Sequence, residues 1–155
     1  MIQRLQSVYL LLVIIMSVIF ISGKLLTYNN SQGQIRTITF TGETLGAHPI
    51  SNSEIIKILP VSILSLLIPI LALISAMLYK NRKVQAKLVM ILLGIEILLI
   101  GTCVGYYIFL FRNQFGEISF GYRAVIPLIN IILTLLALQG IRKDEKLVKS
   151  YDRLR

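Results

Sequence analysis

Tryptophan is absent from the sequence, and cysteine and histidine each occur once, as Cys103 and His48. With a single thiol no intrachain disulfide can form, so any exported segment must hold its shape by packing and hydrogen bonds. A lone histidine in GAHPI, with no Cys, Asp or Glu at ligand spacing, makes no metal centre, and no cofactor is expected. Acidic residues are scarce: seven Asp and Glu against sixteen Lys and Arg, a formal charge of +9. Also missing are a glycine-rich phosphate loop, HExxH, CxxC and any Ser/His/Asp set, so no residue constellation points to an enzyme.

What the chain has in quantity is apolar surface. It is 55% hydrophobic with a mean hydropathy of +0.78 over 155 residues. A soluble chain of this length could not hide so much, so one integral membrane domain, 1–155, is expected, its main partner the lipid bilayer. Four runs, at about 5–22, 58–79, 87–111 and 124–141, are each near the length that crosses a bilayer as a helix. The first follows MIQR and is read as a retained helix, since no small-x-small cleavage site follows it. The fold class expected is therefore an all-α membrane protein, a four-helix transmembrane bundle.

Cations set the orientation. Arg4, the loop cations Lys80, Arg82, Lys83 and Lys87, and the tail cations Arg142, Lys143, Lys146, Lys149, Arg153 and Arg155 fall on one side, eleven in all. Lys24, Arg36, Lys57, Arg112 and Arg123, five, fall on the other. The excess belongs inside, which puts both termini in the cytoplasm.

The polar segment 23–57 then faces the exported side. KLLTY, NNSQG and QIRTITFTG read as strand, turn, strand, a small β-hairpin or sheet in which Phe115–Phe120 could supply a further strand. The layout is similar to the claudin type by topology alone, an analogy that carries no function.

The third run holds the residue that constrains the others. Glu96 lies mid-span in an otherwise apolar helix, where a carboxylate costs several kcal/mol, so it must face the bundle interior and find hydrogen-bond partners. Matching depths at about 1.5 Å per residue puts Tyr9, Ser75 and Thr134 nearest, with Thr134 and Tyr9 leading. Asn130 falls further outward and needs an interhelical bond of its own. At about 100° per residue Gly94, Gly101 and Gly105 share a stripe opposite Glu96, and GTCVG has GxxxG spacing, so close helix packing is expected there. In the second run Pro60 suits a first helical turn, whereas Pro69 falls inside and a kink is expected.

The tail 142–155 repeats Ile141, Leu147, Val148, Tyr151 and Leu154 near helical spacing, with Glu145 four residues before Lys149. An amphipathic helix results, suited to anionic lipid headgroups or to docking a protein partner. Its mixed charges argue against nucleic acid.

The opening MIQRLQSVYLLL and the ending GIRKDEKLVKSYDRLR resemble the signatures of a family of small inner-membrane proteins from Bacteroidota, domain-of-unknown-function family 4293. The resemblance covers the whole chain. It implies the cytoplasmic membrane and marks Gln3, Arg4, Gln6, Ser7, Arg142, Lys143, Asp144, Glu145, Asp152, Arg153 and Arg155, all on the expected cytoplasmic side. It implies no activity.

Two functions are compatible with these features. The leading one is an accessory or scaffold subunit whose cytoplasmic face, Arg4, Arg82, Lys83, Arg142, Lys143, Asp144, Glu145, Lys149, Asp152, Arg153 and Arg155, docks a partner. The alternative is a small proton- or ion-coupled transporter or channel built on Glu96.

Overall fold

Apolar runs of this length bury their backbone polar groups most readily as helices. The computed structural model accordingly carries α1 (Gln3–Ile21), α2 (Asn52–Met77), α3 (Arg82–Arg112) and α4 (Ile126–Asp152). It describes residues 3–29, 35–39, 42–45, 48–49, 52–79, 81–112 and 118–152. Five short strands complete it: β1 (Lys24–Asn29), β2 (Ile35–Thr39), β3 (Gly42–Leu45), β4 (His48–Pro49) and β5 (Ile118–Phe120).

The helices form a ring: α1 packs on α2 and α4, and α3 packs on the same two. Buried apolar positions recur three or four residues apart on each helix, as the 3.6-residue repeat requires. Leu10 and Val13 come from α1, Ile68 and Ala72 from α2, Val89 and Leu92 from α3, and Ala137 and Ile141 from α4. The outward faces are apolar too: Leu11, Ile15 and Val18, Ile63 and Ile70, Ile91 and Leu98, and Leu128 and Ile132 are all exposed. An apolar exterior this continuous suits lipid and not water. Three stretches, Leu59–Met77, Arg82–Phe109 and Tyr122–Glu145, are long and apolar enough to cross a membrane; the apolar part of α1, Gln6–Ile21, is shorter.

The strands form one antiparallel sheet in the order β4-β3-β2-β1-β5. Only two residues separate α1 from β1, which seats the sheet on that end of the bundle, and Ile38 of β2 is buried beneath it. A register shift between Lys24 and Leu26 marks a bulge where the chain turns from helix to strand.

Pro60 is not in the first turn of its helix, contrary to the sequence reading. α2 begins eight residues earlier, at Asn52, so its polar start stays helical beyond the apolar segment and both Pro60 and Pro69 are internal. At the other end of the chain, α4 runs through Gly140 into the charged tail as one helix.

Candidate functional site

The polar side chains buried among the helices gather in two strata. The first closes the end that carries the termini. Gln6 of α1 and Asp144 of α4, 6% and 4% exposed, meet there, the Gln6 amide donating from Nε2 to Asp144 Oδ2. Arg82, at the start of α3, donates from Nη1 to the Asp144 backbone carbonyl at 2.9 Å. The α1–α4 approach depends on Gly140, since a Cβ there would lie 2.9 Å from Gln6 Cγ. Gln85 of α3, also buried, donates to the Ser75 carbonyl of α2 at 3.1 Å. Side-chain bonds thus tie α3 to both α2 and α4, and α4 to α1, at this one end.

The second stratum lies deeper. Glu96 is 0% exposed, and Thr134 Oγ1 donates to its Oε1 at 2.8 Å; Oε2 has no partner among the described residues. Asn130 donates from Nδ2 to Ser17 Oγ at 3.1 Å, and Ser17 donates in turn to the Val13 carbonyl of its own helix at 2.7 Å. Asn130 and Thr134 are one turn of α4 apart, about 6 Å.

Between the strata all four helices contribute apolar groups. From Thr134 to Asp144 is about 15 Å along α4, and Ala137, Leu138 and Ile141 are the buried residues in that interval. Leu10 fills it on α1, Ile68 and Ala72 on α2, and Val89 and Leu92 on α3. Among the described residues no buried polar side chain bridges this septum. The arrangement can lock helices in register.

The depth matching made from sequence needs two corrections. Ser75 lies in the terminal stratum, level with Gln85, and so far from Glu96; its hydroxyl is buried without a partner. Tyr9 is half-buried and packs against the core, and the Asn130–Ser17 bond sets α1 so that Val13 takes the depth of Glu96. The Ser75 shift follows from where α2 begins, at Asn52, well before the apolar boundary used to align it.

The glycine stripe is also placed differently. Gly94, Gly101 and Gly105 are exposed, and a Cβ on any of them would meet nothing within 4 Å, so among the described residues no helix makes a close contact at them. A close approach between helices that a glycine does permit is at Gly140. Pro69 is half-buried in α2.

Of the expected docking residues, Lys83, Arg142 and Lys143 are exposed around the terminal end, and Arg82 and Glu145 are half-buried. Asp144 is not on that surface, because it points inward to Gln6. The side chains of Arg4, Lys149 and Asp152, and residues Arg153 and Arg155, lie outside the described residues.

Arg123 escaped the sequence reading. It donates from Nη1 to the carbonyl of Ile19 at 3.1 Å, a cation at the C-terminus of α1 where the helix dipole favours one, and from Nε to Tyr122 Oη at 3.1 Å. Nothing in its immediate sequence signals a partner a hundred residues away.

No cluster of three His, Cys, Asp or Glu able to hold a metal occurs among the described residues. The family whose description is "Domain of unknown function (DUF4293)" matches residues 2–154. No curated protein matches the chain.

Proposed function

The chain belongs to the DUF4293 family, whose description states no activity, and from that premise and the bundle's geometry we propose a non-enzymatic, four-span protein of the cytoplasmic membrane. It acts as an accessory or scaffold subunit, with both termini inside and a basic cytoplasmic face presented to a protein partner and to anionic headgroups. α1 is the fourth span: its 19 residues cover about 28 Å, and its outward Leu11, Ile15 and Val18 match the lipid-facing stripes of the other helices. The exported sheet caps the opposite end.

One observation carries this reading. The buried Gln6–Asp144 pair, with Arg82 on the Asp144 carbonyl, fixes three helix ends, so Lys83, Arg142 and Lys143 stand on a rigid platform and not on a loose tail. Fixed geometry is what a docking surface needs to limit the ordering cost of binding. The test is crosslinking in native membranes followed by identification of co-purifying proteins, for wild type and for a Lys83→Glu, Arg142→Glu, Lys143→Glu variant. A specific partner lost in the variant supports the proposal; a protein that purifies alone, whose charge-reversed variant is unaltered in cells, refutes it.

The unpartnered Oε2 of Glu96 favours a second reading, proton- or ion-coupled transport. It requires a pH-dependent flux in liposomes that Glu96→Gln removes. The apolar septum speaks against it, and absence of flux in wild type ends it.

A further inference from the structure

At the sheet end of the molecule, where α1 stops and α4 begins, a cavity of about 470 Å³ opens between the sheet and the bundle. Its charged lining is cationic: Lys24, at the start of β1, and Arg123. Hydroxyls complete it. Thr27 and Ser119 are direct cross-strand partners on β1 and β5, which puts their side chains on the same face of the sheet, and Tyr122 stands at the rim. No carboxylate lines the cavity among the described residues.

The cavity has a fixed cation at its base. The Ile19 carbonyl and Tyr122 Oη engage Nη1 and Nε of Arg123, and the guanidinium lies 5.5 Å from the Tyr122 ring centroid. A guanidinium has five N–H donors, so the remaining ones, with no acceptor among the described residues, can fork onto an anion. Gly23 makes room for this side chain, since a Cβ at that position would lie 2.1 Å from Arg123 Cδ. A held Arg, an exposed Lys and two facing hydroxyls form a donor set that matches the tetrahedral oxygens of a phosphate and offers little to a neutral ligand.

We propose that this cavity binds a phosphate group, carried either by a lipid headgroup or by a free phosphate ion. The position suits the first source, because Ser22 and Gly23 follow the apolar face of α1 directly and Tyr122 opens the apolar stretch that runs into α4. A headgroup seated there would have its acyl chains beside exposed Val18 and Val125. The site lies at the far end of the bundle from the docking face proposed above and goes beyond that reading.

The test titrates the full-length protein, released from maltoside micelles for native mass spectrometry, with short-chain phosphatidylglycerol and, separately, with inorganic phosphate. Lys24→Gln and Ser119→Ala, both at exposed positions, are compared with wild type and with Lys143→Gln at the opposite end. Loss of one charge-assisted contact at a partly exposed site is expected to weaken the tightest bound adduct roughly three- to tenfold in Lys24→Gln. Ser119→Ala should weaken it less, and Lys143→Gln should leave it unchanged. Dependence on Lys24 seen with phosphatidylglycerol alone assigns a lipid headgroup, and the same dependence with inorganic phosphate assigns the free ion. Arg123→Gln is informative only if it elutes as the folded protein, because it also releases the end of α1. Failure of both probes to bind, or binding that ignores Lys24→Gln or falls equally in Lys143→Gln, overturns the proposal.

Discussion

Replacing Thr134 with Val isolates the contact on which the deeper stratum turns. Val nearly matches the shape of Thr, so this fully buried position keeps its packing while Glu96 loses the hydroxyl that donates to Oε1. Both carboxyl oxygens are then without a partner, since Oε2 has none already. An interhelical side-chain hydrogen bond in a membrane is worth about 0.6–2 kcal/mol. Stranding a buried polar group costs about 1–3 kcal/mol. The two figures overlap in what they count, so Thr134→Val should lower the unfolding free energy by about 2 kcal/mol, roughly thirtyfold in the equilibrium constant. Glu96→Leu behaves differently: it removes the group that needs a partner, and an apolar residue of similar volume is expected to be near neutral. In that background Thr134→Val should cost under about 0.5 kcal/mol. Unfolding of the four proteins by steric trapping in bicelles closes the cycle, with an expected coupling of about 1–2 kcal/mol. A coupling of zero, with Thr134→Val as stable as wild type, refutes the claim that this bond anchors the buried acid.

Gly140→Leu should destabilise by about 1–3 kcal/mol through overpacking against Gln6, measured in the same assay. Gly101→Ala should be neutral or stabilising by up to about 1 kcal/mol, because open space surrounds it and alanine is the better helix former. Gln6→Leu strands the Asp144 carboxylate and should cost about 2–3 kcal/mol, and Asp144→Leu in the same chain should recover most of the loss. Arg82→Gln removes one charge-assisted bond to a backbone carbonyl; a loss of about 1 kcal/mol and faster hydrogen exchange in the last turns of α4 are expected.

The runs that became helices were readable because apolar length is a strong signal, and the demand of Glu96 for an interior partner was readable because a lone acid in hydrocarbon has few alternatives. Its bond to Thr134 could be reached from depth alone, the two lying on adjacent antiparallel helices. What failed was the finer register. Depth counting starts from where apolar composition begins, whereas α2 starts at Asn52, so Ser75 shifts by more than a turn; the level of α1 is set by the Asn130–Ser17 bond, which no run boundary shows. Gln6 and Asp144 look like surface residues of charged, amphipathic ends, and nothing local shows that they face each other 138 positions apart. The glycines illustrate the same limit: spacing singled out Gly101 and Gly105, but the glycine in close contact is the isolated Gly140, where Gln6 on another helix needs the space. Arg123 was counted only as a charge, because nothing local pairs it with the carbonyl of Ile19, 104 positions away.

The sidedness of the proposed crossings by α3 and α4 can be measured directly with single cysteines. In a Cys103→Ser background, Ser119→Cys, Lys83→Cys and Lys143→Cys are exposed to a membrane-impermeant maleimide in intact and in permeabilised cells. Ser119→Cys should react in intact cells, and Lys83→Cys and Lys143→Cys only after permeabilisation. Labelling of Lys143→Cys in intact cells, or labelling of Lys83 and Lys143 variants from opposite sides, would contradict a cytoplasmic α2–α3 loop and C-terminus.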